Sequence, residues 1–356
     1  MTRDELIKLI KGGDIAESID IAGGDLNNAD LSGGIFSNVN FGRAALKGAN
    51  LHQSNFLNCD FTGADLSGAE FKGANFISAN FTSAGFVDAG LAESVHIEGN
   101  YNDADFTRSN CYQTNFVDCD MSGANFSDAD LTFTSFITPN FTAAVFTRCN
   151  MKQTNVINPV LEAVNLRDAM INQCVFQGPT IRGQDFSGMD LSMTQFREAD
   201  LAGCNFMHAR LTQTNFMEAN LMKASFEGAA ANMAIFYGCN LTQASLRNAM
   251  LDQASMNEAD LTDADLYGAH MVQTQLVEAN CTRASFAGAD LSYADFSHAD
   301  LTDADLSNTQ LLKTKLHAIL EKNTIWSGST KSLALGMDDK RIKAEQWKPR
   351  PRAGER

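Results

Sequence analysis

The residues best suited to metal ligation or nucleophilic chemistry are eight cysteines and six histidines. Thiolate and imidazole sites show themselves through short spacings such as Cys-x-x-Cys, or through clustered Cys and His. No such spacing occurs: Cys59, Cys111, Cys119, Cys149, Cys174, Cys204, Cys239 and Cys281 stand apart, and His52, His96, His208, His270, His298 and His317 are as scattered. Carboxylates are plentiful, but they recur at regular intervals, which marks structure rather than an acid–base pair. No Ser/His/Asp set, phosphate-binding loop or dinucleotide fingerprint is present. The residues therefore point away from an enzyme and call for no metal and no cofactor.

The elements that must hold these residues follow from one period. Every fifth residue from Ile21 to Leu316 falls in the same phase, giving sixty consecutive units without insertion or deletion. The phase residue is Leu, Phe, Ile, Met or Val except at His96, Tyr101, Cys111, Ala231 and Cys281, and only Phe133 among the phenylalanines lies outside it. Two positions earlier a small residue recurs, as in Ala64, Ala69 and Ala74, with Asp or Asn between. A period of five suits neither a helix nor a flat strand. It suits a chain that turns a corner in each unit and stacks coil upon coil at about 4.8 Å. Six cysteines then fill the small inward slot and Cys111 and Cys281 the large one, so all eight read as reduced, buried hydrophobes.

The consensus A-(D/N)-(L/F)-x-x resembles that of the pentapeptide-repeat family over residues 21–316. The resemblance implies an all-β fold, a right-handed quadrilateral β-helix with four units per coil. Fifteen coils and a rod of roughly 70 Å would follow. A 20-residue coil also shows in the sequence itself. One column (Phe36, Phe56, Phe76, His96, Phe116, Phe136) is almost all Phe, whereas the column of Leu31, Leu51 and Leu91 is almost free of it, and Pro139, Pro159 and Pro179 recur 20 apart. Three regions are expected: an N-terminal capping helix over 1–20, with Thr2 and Glu5 as a capping box and Leu6, Leu9 and Ile10 as its apolar face; the repeat body over 21–316; and a C-terminal cap and basic tail over 317–356. Ile319, Leu320, Ile325 and Trp326 are expected to cover the last coil, and a second short helix is expected in DDKRIKAEQW. The closing KPRPRAGER reads as flexible solvated chain, or as a docking peptide for an acidic partner.

The formal charge of −16 is uneven. Residues 1–312 carry 38 acids against 16 bases, and residues 313–356 carry 5 against 11. Such a body repels nucleic acid and attracts basic surfaces. Its richest stretch holds Asp260, Asp263, Asp265, Asp290, Asp295, Asp300, Asp303 and Asp305, with Arg283 expected between Asp263 and Asp303 in the stack. A second surface is apolar: Phe133, Ile137, Pro139, Ile157, Pro159, Val160 and Pro179 form a belt that reads as a partner or self-association surface. His96, beside Tyr101 in an irregular stretch, reads as a structural, neutral histidine bonded to backbone. No run of residues is long and apolar enough to span a membrane, and the opening MTRDELIKLIKGGD is too charged for a signal peptide. A cytoplasmic location is expected, with export by a signal-peptide-independent route as the alternative.

These features suit a non-catalytic protein-interaction scaffold or adaptor with protein partners along its faces, or a homo-oligomer. The resemblance adds specific versions: an accessory part of bacterial protein-secretion apparatus, suggested by the opening helix and Gly pair; a DNA mimic that protects DNA gyrase from quinolones; or a secreted effector built on a repeat scaffold. The unbroken phase and the basic C-terminal end both depart from the gyrase-protecting pattern.

Overall fold

The backbone settles into one all-parallel β-solenoid, described over residues 1–347 by a computed structural model. After helix α1 (Arg3–Lys11) come nine three-residue strands: β1 (Ile15–Glu17), β2 (Ile35–Ser37), β3 (Asn55–Leu57), β4 (Asn75–Ile77), β5 (Val95–Ile97), β6 (Asn115–Val117), β7 (Ser135–Ile137), β8 (Asn155–Ile157) and β9 (Val175–Gln177). They form one sheet in chain order, each strand paired with the residues 20 positions on, as in Phe36↔Phe56 and Ile137↔Ile157. Three further ladders of single bridges keep the same offset, from Asp20↔Asn40 at one end to Asp305↔Ile325 at the other, and the strand column itself continues as single bridges to Lys315↔Leu335. Backbone pairing thus runs beyond the last consensus unit at Leu316. A 3-10 turn (Lys331–Leu333) and helix α2 (Asp339–Glu345) follow.

The slots explain the coil. Phase residues are sealed from solvent, and those 20 apart stack face to face: Phe36 on Phe56 and Phe56 on Phe76 at 4.6 Å. At the corners the Asp or Asn before the phase residue accepts from the backbone two residues on, as Asp60 Oδ1 does from Thr62 N at 2.9 Å. The same oxygens and hydroxyls knit one coil to the next, with Asn80 Nδ2 donating to Thr62 Oγ1 at 2.8 Å. The second variable position must turn left-handed. Glycine does this freely at Gly63 (φ 64), whereas Phe133 holds φ 60 with a bulky side chain attached.

Among the described residues, strands longer than a single bridge occupy one face, as far as Gln177. There the residue after the phase position is aliphatic in six consecutive coils (Leu57, Ile77, Ile97, Val117, Ile137 and Ile157), and most of these are β-branched, which favours an extended pleat. From Gln195 onward the same face carries isolated bridges instead, and the turn closes with Ala199 N donating to Phe196 O at 3.2 Å. On the strand face the equivalent amide, at residue 79 for example, makes no such turn bond. Pro139, Pro159 and Pro179 sit at that position, so they sacrifice no hydrogen bond. They are buried in the small inward slot, not on the surface as their 20-residue recurrence suggested.

At the ends, Thr2 Oγ1 accepts from Glu5 N at 3.3 Å while Glu5 Oε2 accepts from Thr2 N at 2.8 Å, and Leu6 and Ile10 turn into the core. At the other end Ile319 and Trp326 pack partly against the core, but Leu320 and Ile325 are exposed because their positions alternate outward. The KPRPRAGER segment lies outside the described residues, apart from the chain leading to it.

Candidate docking faces and a histidine cluster

The strand face carries an extended, partly exposed apolar surface. Leu57 and Ile77 are 44% and 42% exposed, Ile137 is exposed, and Ile97, Val117 and Ile157 are half-buried. Ile15 and Ile35 extend the face from the neighbouring column, and with Leu57 and Ile77 they line a shallow depression of about 330 Å³. Because each residue lies 20 from the next, all point the same way from a flat parallel sheet. The apolar belt expected from the sequence includes only the Ile137–Ile157 end of this column. The signal for the rest was one residue type recurring at a single place in the coil.

The expected apolar belt does not hold together as one patch. Ile137 and Ile157 lie on the strand face. Phe133 stands at the corner before β7, edge-on to Tyr112 with ring centres 5.7 Å apart. Val160 projects from the next face, and the three prolines are inside.

The acidic stretch is similarly divided. Asp263 and Asp303 are exposed, and Asp260, Asp265, Asp290, Asp300 and Asp305 are half-buried with one oxygen bonded to the corner backbone or its hydroxyl. Asp295 is not surface at all: it is 6% exposed, holds Lys315 Nζ at 2.8 Å and accepts from Ser297. α2 lies over this face and shuts it off, with Arg341 Nη1 donating to Ser297 Oγ at 3.1 Å. Arg283 grips Asp263 alone, Nε to Oδ1 at 2.6 Å and Nη2 to Oδ2 at 2.8 Å. That bidentate contact uses its fork, and Asp303 instead accepts from Asn323 Nδ2 at 2.8 Å.

His96 causes no irregularity, since β5 pairs in register on both sides. Its partners are side chains rather than backbone. Ser94 Oγ donates to Leu91 O and so must accept from His96 Nε2, at 2.8 Å, which leaves Nδ1 to accept from the Tyr101 hydroxyl. Full burial drives its pKa down to about 3, and pushes that of Tyr101 up. The cysteines are all free and buried, and burial raises Cys59 to about 11 and Cys111 to about 12.

The C-terminal end assembles a cluster that spacing did not reveal. His298 and His317, 19 apart, meet edge to face, and α2 brings Glu345 onto both: His298 Nε2 lies 3.2 Å from Oε1 and His317 Nε2 3.3 Å from Oε2. Three such donors could in principle hold a metal ion. Their hydrogen bonding does not suit one. His317 Nδ1 accepts from Asp338 N at 3.0 Å, so Nε2 carries the proton and has no lone pair to give, and Arg341 Nε occupies Glu345 Oε1 at 2.7 Å. Burial raises the pKa of Glu345, but hydrogen bonds from Arg341, His317 and His298 outweigh it and hold the carboxyl at about 2. The arrangement works as a latch for α2. No helix among the described residues is long and apolar enough to cross a membrane.

Comparison with known proteins agrees with the repeat. The family models "Pentapeptide repeat region" and "Pentapeptide repeats (8 copies)" match residues 185–256 and residues 25–63, 54–89, 102–138 and 279–317, together more than half of the chain. No curated protein sequence matches. Among solved structures, the chain is similar to HetL, a pentapeptide repeat protein involved in heterocyst differentiation regulation in the cyanobacterium Nostoc sp. strain PCC 7120, at 24% identity over 71% of this chain and 91% of that one (TM-score 0.41). It is also similar to QnrB1, a plasmid-mediated fluoroquinolone resistance protein, at 20% identity over 49% and 89% (TM-score 0.42). A third likeness is a protein of the Arabidopsis thaliana thylakoid lumen, at 31% identity over 32% and 68% (TM-score 0.17). With the sixty-unit phase and the 20-residue pairing, the matched repeats show that the chain belongs to the pentapeptide-repeat family.

Proposed function

We propose that this protein is a non-catalytic protein-interaction scaffold, which docks a protein partner on the flat strand face. The observation that carries the reading is the column Leu57, Ile77, Ile97, Val117, Ile137 and Ile157. Contiguous aliphatic surface on a rigid, regular sheet is costly to leave in water and suits a partner that covers it. The finer architecture belongs to the same proposal: fifteen coils of 20 residues, closed by α1 at one end and by the 317–347 segment at the other, working in the cytoplasm as an adaptor within a larger assembly such as a bacterial secretion apparatus. The use of corner Asp residues such as Asp60, Asp260 and Asp300 in backbone bonds, and the proton on His317 Nε2, support a role without catalysis. Ile77→Asp together with Ile137→Asp leaves the core untouched, so it should release a co-purifying protein or split an oligomer, read by size-exclusion chromatography with light scattering and by mass spectrometry of the eluate. A partner-free monomer unchanged by the substitutions would sink the reading.

A second reading is mimicry of DNA by the acid-rich C-terminal third, in the manner expected of a gyrase modulator. Its support is the line of carboxylates from Asp260 to Asp305, of which Asp263 and Asp303 are exposed. A supercoiling assay separates the two readings: gyrase activity should change with added protein, and the change should vanish on neutralising Asp290, Asp300 and Asp305. No effect at micromolar protein excludes mimicry.

A further inference from the structure

Each coil of this rod is ordinarily bonded to the next on every face. In the step that starts at Leu201, its amide donates to Asn220 O at 2.8 Å, Gly203 to Met222 O at 2.8 Å and Phe206 to Ser225 O at 2.6 Å. One step is different. The amides of Leu161, Ala163, Leu166, Asp168 and Ile171 should reach residues 180 to 190 by the same rule, and none of those bonds forms. The return bonds from Thr180, Asp185 and Asp190 are missing as well, and the bridge ladders that end at Val160, Asn165 and Met170 resume only from Thr180, Asp185 and Asp190. Three clefts open in the seam: one of about 580 Å³ between Pro159–Val164 and Thr180–Gln184, one of about 440 Å³ between Asn165–Asp168 and Gln184–Met189, and one of about 480 Å³ between Asp168–Asn172 and Ser187–Asp190.

The fourth face stays closed. β8 and β9 pair in register through Val156↔Phe176, and the adjoining corner is tied by Gln173 N to Ser192 O at 3.0 Å and Thr194 Oγ1 to Ile171 O at 2.7 Å.

Residue size accounts for the gap. The small inward slot holds Val164 on one side of the seam and Gln184 and Met189 on the other, where Ala, Cys, Ser or Thr is the rule. Gln184 and Met189 are only half-buried, and Val164 and Leu161 are 7% exposed and Ala169 6%, values that the core otherwise approaches only at its two ends. Oversized side chains at consecutive corners wedge one coil from the next, since a close-packed interior has no space to absorb them. Ring stacking does not bridge the step either: the aromatic columns stop at Phe136, Phe141 and Phe146 and resume at Phe176 and Phe186.

We infer that this seam is a hinge, about which two stiff stacks of coils change their angle by opening and closing the clefts opposite the β8–β9 face. A segment joined on one face and unbonded on three has a low free energy of local opening, whereas the stacks on either side keep bridges on all four faces and lack only the Gln153 and Gly178 amide bonds beside the seam. The hinge stands independently of the docking role. It adds that the aliphatic column, which ends at Ile157, lies wholly on one of the two moving bodies.

The test uses the full chain. In amide hydrogen exchange, Leu161, Ala163, Leu166 and Asp168 should exchange at least about 100-fold faster than Leu201, Gly203 and Phe206. Nitroxide labels at Arg108→Cys and Asn248→Cys, on the corner column that opens and in separate stacks, should give a broad pulsed-EPR distance distribution, while a control pair at Asn28→Cys and Arg108→Cys within one stack stays narrow. Val164→Ala, Gln184→Ala and Met189→Ala together should protect the seam amides and narrow the first distribution. Seam amides as slow as their neighbours overturn the hinge. So does fast exchange with a single narrow distance, which means a fixed gap. Should the triple variant fail to fold, the two measurements on the native seam decide alone.

Discussion

The rings of His298 and His317 meet at 89° with their centres 5.2 Å apart, although the two residues occupy different kinds of position in the repeat. His317 is the buried residue just after the phase residue Leu316, and His298 is the outward corner of the coil before it, with His298 N donating to His317 O at 2.8 Å. Glu345 closes the pair from α2, and Arg341 closes Glu345. An exposed seven-residue helix has little intrinsic stability, so these contacts decide whether it stays docked.

Glu345→Gln should therefore release α2 without disturbing the coils. Trypsin should cut at Lys340, Arg341 and Lys343 several-fold faster, with no change in the melting of the body. The same latch has a pH dependence with a definite sign. The carboxyl titrates near 2 when docked and near 4.5 when free, so its contribution is whole above pH 4.5 and is lost as the pH falls toward 2. Exchange of the α2 amides, followed between pH 6 and pH 2, reads the loss.

His96 predicts a second acid sensitivity, in the body. Its folded pKa of about 3 lies below the free value of 6.5, so the unfolded chain binds a proton that the folded chain refuses. Stability is whole above pH 6.5 and falls as the pH drops toward 3, by on the order of 5 kcal/mol at the limit. His96→Phe alone strands the Tyr101 hydroxyl and should cost about 1–3 kcal/mol at neutral pH. His96→Phe with Tyr101→Phe continues the Phe76–Phe116 and Phe61–Phe81 stacks, and should match the native melting temperature at pH 7 while exceeding it at pH 4. Thermal melts at the two pH values decide this.

The eight thiols should be inert in the folded rod. Thiolate, not thiol, reacts, and burial lifts Cys59 to about 11 and Cys111, Cys119, Cys174, Cys204 and Cys239 to about 12. An alkylating reagent at pH 8 should modify none within the time that a denatured sample takes to react at all eight. One thiol titrating fast in the native chain would contradict its inward placement.

Much of this molecule is written along its chain. Because every unit repeats one local turn, the phase alone tells which side chain goes inward at Phe36 or Cys59, and the contrast between the Phe-filled column of Phe36 and the nearly Phe-free column of Leu31 reveals the 20-residue coil without any contact. Local rules also placed α1, whose capping box needs only Thr2 and Glu5. What the period could not carry is whatever depends on an amide's role or on a neighbour from another coil. Pro139 looked superficial until its missing N–H proved harmless on a face where that amide is unbonded. Asp295 looked solvent-facing until α2 covered it.

By itself, then, the sequence determined the slots: period, polarity and side-chain size act within five residues and need no partner. Only the tertiary structure decided what the slots add up to. It turned six separate aliphatic residues into one column on a flat sheet, joined His298 to His317 and Glu345, and parted the coils where Val164, Gln184 and Met189 are too large. Those outcomes arise from stacking at a 20-residue offset, where each side chain meets a neighbour that no local window contains.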